Sequence, residues 1–517
     1  MSTMFVNALG LGLGVVALAL GCVRWLRVAQ REHYLAGMTV RFARRWWLAS
    51  GVNRALAVAG AAGAVASLWY PPAGFAAVVV AAVGPVGLKL KGTTSRLAWT
   101  PRLRRLAGTS GLVAAVVVGG AAVAGLHAAF SAVVIFAMGA PVLVDAALVA
   151  VKPVETRLLQ PYVDRARQRL GAVAPRVVAI TGSYGKTTTK GYVAHLIAGS
   201  FSVVATPASF NNTVGLARSV NEHLATGTQV FVAEMGTYGV GEISAMCAWV
   251  KPEVAVITAI GPVHLERMRS LERIAEAKAE ILDQASVAIL NVDYPLLAQL
   301  AQKVEEEGKT VWRCSSQGPR ADVSVIAEAG GLRVRAAHFG AQMDLVVTAG
   351  PEVEPGNVAC AVATALCLGV PTVTVAARLA SLPGAPNRRS AQQGANGARI
   401  IDDTYNANPA GARAALALLG VIGTPGGKRV VVTPGMVELG RLQGRENANF
   451  AAGAGAVATE LVVVGRTNAQ SLMAGAKAAG VPVRRARDRK AAVGWVSAEL
   501  GAVDAVLYEN DLPDHYP

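Results

Sequence analysis

The sequence predicts an α/β protein with two successive parallel-sheet domains, preceded by an α-helical transmembrane region. Long apolar runs fill the first 150 residues, and short strand-like runs then alternate with helical stretches. A proline-rich break at 383–386 divides this alternation in two. The predicted strands are 176–181, 228–234, 253–260 and 287–291 before the break and 398–403, 428–433, 460–465 and 504–508 after it, and residues 319–350 are predicted to be antiparallel. We therefore predict a membrane region at 1–152, an amphipathic linker at 153–175, a central domain at 176–382 and a C-terminal domain at 383–517.

The apolar runs each approach the ~20 residues that a helix needs to cross a bilayer. Residues 23–54 carry seven arginines and residues 89–106 carry six Lys/Arg, whereas the other connections carry none. By the positive-inside rule both basic loops face the cytoplasm, so five spans place everything after Lys152 on that side. Residues 51–88 could instead form a re-entrant pair. The predicted spans are 4–22, 51–69, 72–88, 108–126 and 129–150.

Charge and cysteine content narrow the class of partner. The chain of 517 residues has a net charge of +16, and residues 1–150 hold 13 Lys/Arg against two acids. Because this excess lies between apolar runs, it indicates contact with membrane lipids and not with nucleic acid. The five cysteines show no paired short spacing, which predicts free thiols in a reducing compartment. We expect Asp145, in the last run, to be solvated near the cytoplasmic interface.

A glycine-rich turn follows the first strand-like run of the central domain. Val178–Thr189 places Gly182, Gly185 and Lys186 after an apolar strand and before a helix. Backbone N–H groups at such a turn converge on one point, which suits a phosphate. Lys186 would neutralise the β- and γ-phosphates, and the Thr187 hydroxyl could hold Mg²⁺. The generic pattern also requires a glycine at Ile180, so the match is to a shorter G-x-x-G-K-T form.

Other polar residues stand at predicted strand ends, where ligands bind in open parallel sheets. Glu234 ends the strand 228–234, and a carboxylate there can take a metal position beside the phosphates. His264 follows the strand 253–260, and Lys278 lies on a predicted helix. Alone, the histidine would be structural and the lysine an exposed side chain.

Two polar turns could contact a substrate or could cap helices. Asn211, Asn212 and Thr213 form one turn, and the segment 402–409 (Asp-Asp-Thr-Tyr-Asn-Ala-Asn-Pro) forms the other. Asx turns and a helix cap before Pro409 explain some of these residues without any ligand. The candidate substrate residues are Asn211, Asn212, Thr213, Tyr405, Asn406 and Asn408.

The order and spacing of these motifs resemble the Mur ligases over roughly residues 176–470. The segments that carry the resemblance are ITGSYGKTTTK, NNTVGLA, AEMGTYGVGEI, GPVHLE, AKAEIL, LNVDYP, PNRR and DDTYNANP. The nearest pattern is that of the members adding D-alanyl-D-alanine to the UDP-muramoyl tripeptide. The resemblance implies a central P-loop-type domain and a Rossmann-like C-terminal domain. It also implies that ATP phosphorylates a carboxylate and that an amine attacks the acyl phosphate.

The resemblance assigns roles residue by residue. Lys186, His264 and Lys278 would be catalytic, with Lys278 carbamylated. Two Mg²⁺ ions would be held by Thr187, Glu234, His264 and the modified Lys278. ATP would be bound by Gly182, Ser183, Gly185, Lys186, Thr187, Thr188, Asn291, Asp293, Arg388 and Asp403.

Three departures from the family pattern affect the substrates. The small domain that holds the uridine nucleotide is missing, and the apolar region stands in its place. The chain reads Leu507–Pro517 where the family has a Lys-Gly-Ser-Arg turn for the incoming dipeptide. It also has Thr433-Pro434-Gly435 where the family usually has Gly-Asp. The resemblance therefore implies the ligase chemistry of the family for this chain, but it does not identify the two substrates.

Our main interpretation is a multi-pass membrane protein with a cytoplasmic, ATP-dependent amide-bond ligase. It would join an amino acid or dipeptide amine to a carboxylate-bearing envelope precursor, peptidoglycan-related and possibly lipid-linked. One alternative is the standard D-alanyl-D-alanine-adding reaction on the UDP-muramoyl tripeptide. Others are a poly-γ-glutamate-type ligase and a nucleotide-gated transporter or scaffold with a degenerate ligase domain.

Overall fold

The computed structural model describes residues 3–92, 94–318, 321–338, 340–350, 352–384, 390–405 and 407–517. The chain forms two compact units. The first, here the helical unit, comprises Met1–Leu158, Gly465–Thr467 and Leu512–Pro517. The second, here the α/β unit, comprises Leu159–Val464 and Asn468–Asp511.

Two described helices of the helical unit are long and apolar enough to cross a membrane, α1 and α5. The number rises to four if α2 with α3, bent by 116°, and α6 with α7, bent by 81°, each count as one span. The helices are α1 (Thr3–Arg31), α2 (Met38–Leu48), α3 (Gly51–Ala66), α4 (Gly74–Val83), α5 (Pro101–Val123), α6 (Leu126–Met138) and α7 (Ala140–Val173).

The helix lengths differ from the prediction of five similar spans. The run at 4–22 falls within α1, as expected, and the run at 108–126 overlaps α5 but extends past its end at Val123. The run at 72–88 yields only the 10-residue α4, about 15 Å long, which is too short to cross a bilayer alone. The run at 129–150 is divided at Gly139 into α6 and α7. The predicted linker is the second half of α7, so it is continuous with the last apolar run.

Buried polar groups join the helices of this unit. Asp145 is 8% exposed, and its carboxylate accepts hydrogen bonds from the backbone N–H groups of Thr39 (3.4 Å) and Val40 (3.0 Å). It therefore stabilises the first turn of α2, and the expectation of a solvated acid was wrong. Arg24 donates to the carbonyl oxygens of Gly84 (2.6 Å) and Leu88 (3.2 Å), which follow the end of α4.

The last six residues of the chain pack among these helices. Asp514 accepts a hydrogen bond from the fully buried guanidinium of Arg27 at 3.0 Å. The His515 ring contacts the Glu32 carboxylate at 3.0 Å, and its carbonyl oxygen accepts from Trp46 Nε1 at 2.8 Å. The C-terminal tail was assigned from the sequence to the second α/β domain, whereas its contacts make it part of the helical unit.

The central domain is built on a sheet that, in the described residues, has nine strands in the order β2-β3-β1-β4-β5-β6-β7-β8-β9. Strands β1 to β7 pair in parallel, and β7, β8 and β9 pair antiparallel. The strands are β1 (Arg176–Thr181), β2 (Val203–Ala205), β3 (Val230–Glu234), β4 (Val254–Ile257), β5 (Val287–Asn291), β6 (Thr310–Ser315), β7 (Val323–Glu328), β8 (Gly331–His338) and β9 (Ala341–Thr348).

Helices cover both faces of this sheet because successive strand residues point to opposite sides. Ala179 and Phe231 enter one buried cluster, whereas Val178 and Val232 enter the other. The helices are α8 (Lys186–Ile197), α9 (Thr213–His223), α10 (Glu242–Val250), α11 (Leu265–Met268), α12 (Leu271–Ala279), α13 (Pro295–Glu306), α14 (Pro355–Cys367) and α15 (Thr372–Leu379).

The C-terminal domain has a second sheet with the order β10-β11-β15-β12-β13-β14 among the described strands. All of its pairs are parallel except β10 with β11. The strands are β10 (Ser390–Gln393), β11 (Arg399–Asp403), β12 (Arg429–Thr433), β13 (Glu460–Val464), β14 (Val483–Ala486) and β15 (Ala505–Glu509). The helices are α16 (Pro409–Ile422), α17 (Gln443–Ala454), α18 (Ala469–Ala478) and α19 (Arg489–Glu499).

The predicted α/β class with two parallel-sheet domains is confirmed. The eight strands expected in the two alternating regions are present within two or three residues, and 319–350 is antiparallel as expected. The sequence interpretation missed β2, β6, β10 and β14. Of these, β2, β10 and β14 are short strands at or next to sheet edges, where few residues reveal a pattern.

Candidate functional site

The glycine-rich turn lies between β1 and the N-terminus of α8, as predicted. Gly185 has φ 78°, a left-handed conformation that favours glycine, and a Cβ there would collide with the side chain of Asn357. A Cβ on Gly182 would collide with the Thr258 hydroxyl. Lys186 begins α8, and its Nζ donates to the Gly182 carbonyl oxygen at 2.7 Å. The turn therefore places a cation and a helix N-terminus at one point, which suits a phosphate.

Ser183 anchors the turn to the loop that follows β4. Its backbone N–H donates to the Ala259 carbonyl oxygen at 2.8 Å, and its Oγ accepts from the Gly261 N–H at 2.9 Å. Tyr184 packs against Gly261, where any side chain would collide with the phenol. The structure thus uses the Ser183 hydroxyl to hold the turn, and its predicted role in nucleotide binding stays a prediction.

A cavity of about 390 Å³ opens beside the turn and is lined by residues of both domains of the α/β unit. Seven predicted site residues line it: Gly185, Thr188, Asn291, Asp293, Asp403, Tyr405 and Asn408. Further lining residues with polar or aromatic side chains are Tyr184, Thr258, Tyr294, Ser316, Gln317, Glu354, Asn357 and Arg413. The structure thereby brings the turn together with the polar cluster at the end of β11, which the sequence separates by more than 200 residues.

Asn291 and Asp293, two of the residues predicted to bind ATP, form a hydrogen-bonded wall of this cavity. The Asp293 carboxylate accepts from the Ser316 backbone N–H at 2.7 Å and from the Ser316 hydroxyl at 2.6 Å. Asn291 Oδ1 accepts from the Asp293 N–H at 3.1 Å, so the end of β5 is held by its own side chains. Gly356, at the start of α14, lies so close that a Cβ would meet Asn291 Nδ2 at 2.8 Å.

Glu234 ends β3 and is 1% exposed. One carboxylate oxygen accepts from Lys190 Nζ at 3.0 Å, and the other accepts from Asn211 Nδ2 at 3.1 Å. Lys190 is itself buried and also donates to the Ala208 carbonyl oxygen. Two donors, one of them the Lys190 ammonium, therefore fix the orientation of this carboxylate at the end of β3.

His264 lies in the loop after β4, where an acid from the C-terminal domain contacts it. Its Nδ1 is hydrogen-bonded to the Glu438 carboxylate, whose other oxygen accepts from Arg267 at 2.9 Å. The Tyr238 ring packs against the imidazole with ring centroids 4.8 Å apart. The imidazole is therefore held on two sides, and it is not an isolated structural histidine.

Lys278 lies near the end of α12 and is buried, with 5% of its surface exposed. Burial, reinforced by the positive charge of Lys186, lowers the pKa of its amine well below the ordinary value. A lower pKa favours the neutral amine, which is the form that can react with carbon dioxide. The environment therefore agrees with the predicted carbamylation, which itself stays a prediction.

The donor set fits Mg²⁺ only with help from the substrate. Among the described residues, no group of three or more His, Cys, Asp or Glu side chains could hold a metal ion. Mg²⁺ usually keeps several waters and takes one or two protein carboxylates together with phosphate oxygens. The Thr187 hydroxyl and the Glu234 carboxylate fit that pattern as oxygen ligands, and His264 would add one nitrogen ligand, so the residues present are compatible with the predicted ions.

Two predicted substrate residues act as helix caps. Asn212 Oδ1 accepts from the Gly215 N–H at 2.9 Å at the start of α9, and Asn408 Oδ1 accepts from the Gly411 N–H at 2.9 Å at the start of α16. The capping alternative was therefore correct for both, although Asn408 also lines the cavity. Thr213 is the first residue of α9. The Tyr405 hydroxyl bonds the Ser209 hydroxyl at 2.7 Å, whereas Arg388 and Asn406 lie outside the described residues.

The two segments that depart from the family pattern contact each other inside the C-terminal domain. The Thr433 hydroxyl donates to the Glu509 carboxyl at 2.6 Å, and Glu509 is fully buried. Burial, with a smaller contribution from the Asp403 charge, raises the pKa of Glu509 to about 8, although the Thr433 hydrogen bond opposes the shift. The acid is therefore largely neutral at pH 7.

We expect Glu509→Gln to flatten the loss of stability at alkaline pH. The pKa of Glu509 rises from 4.5 to about 8 on folding. Its contribution to the free energy of unfolding is therefore fully present below pH 4.5 and is progressively lost as the pH rises from 4.5 to about 8. Relative to the wild type, the variant should gain up to about 4 kcal/mol between pH 5 and pH 9, because a shift of about 3.5 pKa units is worth about 1.4 kcal/mol per unit at most. Thermal unfolding at both pH values measures this. Parallel pH curves for the two proteins would contradict it, and exposed Glu499→Gln is the control.

Four residues of the site carried no signal strong enough to assign a role from the sequence. Lys190 and Glu438 contact predicted site residues 44 and 174 positions away, and Asn357 and Arg413 line the cavity from α14 and α16. Lys190 belongs to the GKTTTK motif, which was the available sequence signal.

Comparison with known proteins places this site in a family. The family model described as the Mur ligase middle domain matches residues 180–363, and that of the Mur ligase glutamate ligase domain matches 387–508. A solved structure, MurF from Acinetobacter baumannii, is 25% identical with a TM-score of 0.59 and covers 68% of this chain and 77% of that one.

Sequence relatives give the same result. The UDP-N-acetylmuramoyl-tripeptide–D-alanyl-D-alanine ligase of Mycobacterium leprae is 34% identical over 260 residues, covering 47% of this chain and 50% of that protein. The Bacillus subtilis protein of the same name is 31% identical over 307 residues, covering 59% and 63%. The chain thus spans about half to two thirds of the length of these curated relatives. Together, the two matched domains show that the chain belongs to the Mur ligase family.

Proposed function

We propose that this chain is an ATP-dependent ligase that forms an amide bond in peptidoglycan synthesis. The observation that carries the proposal is the cavity in which the Lys186 turn and Asn291 of the central domain face Asp403 and Arg413 of the C-terminal domain. Such an arrangement positions a triphosphate and lets a carboxylate be phosphorylated without covalent help from the protein. Closed domains would also keep water from an acyl phosphate.

The chain's own residues have distinct parts in this reaction. The turn from Gly182 to Gly185 and Lys186 would neutralise the phosphate charge, and Asn291 and Asp293 would orient the base. Thr187, Glu234, His264 and carbamylated Lys278 would hold Mg²⁺ ions, whose chemistry is to neutralise charge on the phosphates. The burial of Lys278 and the hydrogen bonds that anchor Glu234 support these assignments.

For the substrates, the names of the relatives support the alternative derived from the sequence better than its main interpretation. Several relatives are named as ligases of UDP-N-acetylmuramoyl tripeptide and D-alanyl-D-alanine. We therefore propose that reaction first. The direct test is ADP release by the purified full chain with both compounds and Mg²⁺, with product mass measured in parallel. No release above background with this pair would reject this assignment.

A lipid-linked acyl substrate is the second candidate, and the helical unit favours it. The family match begins at residue 180, after helices that include two of membrane-spanning length and composition. Large apolar side chains on these helices are exposed, among them Val58 (71%), Val116 (65%) and Val123 (91%), as lipid contact would require. ADP release with a lipid-linked muramoyl peptide, and not with the UDP-linked one, would select this candidate.

Membrane anchoring with cytoplasmic catalytic domains is proposed on the same helices and on the basic loops 23–54 and 89–106. Retention of the chain in the membrane fraction after alkaline carbonate extraction is the expected result. Release into the soluble fraction would reject anchoring and would leave the ligase assignment intact.

A further inference from the structure

The contact between His264 and Glu438 joins the two domains of the α/β unit. Glu438 lies in the loop after β12 of the C-terminal domain, and its carboxylate bonds both His264 Nδ1 and the Arg267 guanidinium of the central domain. The Glu438 carbonyl oxygen also accepts from the Glu266 backbone N–H at 3.2 Å. The three side chains His264, Arg267 and Glu438 are 24%, 9% and 17% exposed, so water screens the contact only in part.

The backbone on both sides of this contact adopts an uncommon conformation. His264 has φ 56° and Glu438 has φ 62°, left-handed values that few non-glycine residues adopt. Such conformations cost about 1–3 kcal/mol and persist only where the surrounding structure imposes them. Their occurrence at both partners of one hydrogen bond points to a geometric requirement of the site.

The loop that presents Glu438 is held rigidly by side chains of its own domain. Asn447 accepts from the Met436 N–H at 2.8 Å and donates to the Met436 carbonyl oxygen at 2.9 Å. Asn468 Nδ2 donates to the Pro434 carbonyl oxygen at 3.0 Å, and Asn510 Nδ2 donates to the Gly435 carbonyl oxygen at 2.7 Å. Glu438 is therefore delivered at a defined position, as a residue that orients another must be.

The hydrogen bond also decides which nitrogen of His264 can act as a ligand. An ionised carboxylate only accepts hydrogen bonds, so in the neutral imidazole this contact places the proton on Nδ1 and leaves the lone pair on Nε2. Metal-binding histidines commonly donate their other N–H to a carboxylate, which fixes the tautomer and makes the ligand more basic. The Tyr238 ring, 4.8 Å away centroid to centroid, restricts the tilt of the imidazole from a second side.

We propose that Glu438 is a positioning residue that orients His264 Nε2 toward a divalent cation. Because it is supplied by the other domain, the His264 ligand is complete only while the C-terminal domain contacts the central domain. This inference rests on the proposed function, since it assumes that His264 holds a metal ion. It assigns to Glu438 a role in cation affinity in addition to its role in domain contact.

The test is Mn²⁺ binding to the full chain with a non-hydrolysable ATP analogue, measured by the electron paramagnetic resonance signal of free Mn²⁺. Of the two bound Mn²⁺ ions, we expect Glu438→Gln to lower the affinity for the one that binds less tightly, by about 10-fold. This is the lower end of the usual effect of removing such a carboxylate. Glu438→Asp keeps the charge but shortens the side chain, so its Mn²⁺ affinity should lie between those of the wild type and Glu438→Gln. Thermal unfolding of each variant checks that it is folded.

Arg267→Gln is the matched variant, because it removes the interdomain ion pair and leaves the Glu438–His264 hydrogen bond. We expect its Mn²⁺ affinity to stay within about 2-fold of the wild type, far from the 10-fold loss expected at Glu438. Equal losses in Arg267→Gln and Glu438→Gln would overturn the proposal, since Glu438 would then act only through domain contact. Unchanged affinity in both Glu438 variants would also overturn it.

The outcomes separate this inference from the proposed function. Normal Mn²⁺ binding by the wild type with no effect at Glu438 rejects the positioning role alone. Wild-type protein that binds Mn²⁺ but releases no ADP with any acid and amine rejects the ligase assignment and leaves the positioning role in place. Absence of Mn²⁺ binding by the wild type counts against both.

Discussion

Replacing Lys186 with alanine should abolish ATP-dependent ligation, lowering the rate by about 10³-fold or more, as loss of a preorganised charge in an active site does. The Lys186 ammonium lies at the N-terminus of α8, and its Nζ reaches the Gly182 carbonyl oxygen at 2.7 Å. The phosphates would therefore lose the neutralising charge that this turn supplies. ADP release with the best substrate pair measures the effect.

Lys309→Ala is the matched control for this change. Its Nζ also donates to a backbone carbonyl oxygen, that of Ala285, at 2.8 Å, and it lies just before β6, outside the lining of the cavity. We expect Lys309→Ala to keep the wild-type rate within about 2-fold, as is usual for a surface substitution away from the site. Wild-type ADP release by Lys186→Ala, or equal losses in both variants, would contradict the role of Lys186 in phosphate binding.

Replacing Lys190 with methionine should destabilise the α/β unit by about 3–5 kcal/mol, the usual cost of leaving a buried charge without its partner. Lys190 and Glu234 form an ion pair at 3.0 Å, with side chains 7% and 1% exposed. After the substitution only Asn211 of the observed donors would still bond the Glu234 carboxylate. Denaturant unfolding of the folded chain, followed by tryptophan fluorescence, measures the change.

A double-mutant cycle separates this effect from catalysis. Lys190→Met combined with Glu234→Gln removes both charges, so we expect most of the lost stability to return while ligation stays absent. Lys190→Arg keeps the charge, so its free energy of unfolding should stay within about 1.5 kcal/mol of the wild-type value. The remaining loss would come mainly from the poorer packing of the larger side chain. A loss below about 1 kcal/mol in Lys190→Met, or no recovery in the double variant, would show that the pair contributes little.

Prediction from the sequence succeeded where neighbouring residues carry the signal. The turn from Gly182 to Lys186 is recognisable because glycine spacing, a preceding apolar strand and a following helix all lie within 12 residues. The ends of β3 and β5 were located by the same reasoning, and they carry Glu234 and Asn291. Caps such as Asn212 were foreseen as an alternative because a cap bonds a backbone group three residues away.

Prediction failed where a residue's role depends on a partner far along the chain. Glu438 and His264 are hydrogen-bonded although 174 positions separate them in the sequence, and no local pattern around either residue predicts this contact. The helical unit shows the same limit. Apolar runs of similar length became a 29-residue helix and a 10-residue helix, the shorter one ending at Gly84, and a third run is divided at Gly139.

The sequence by itself determined the α/β class, the phosphate turn and the kinship with the Mur ligases, because each depends on short-range periodicity and motif spacing. The tertiary structure alone decided that Lys190 neutralises Glu234, that Glu438 holds His264 and that residues 512–517 pack among the N-terminal helices. Each of these is a contact between charged or polar groups distant in sequence. Such groups must find partners when they are buried, and only the folded chain specifies which partners are within reach.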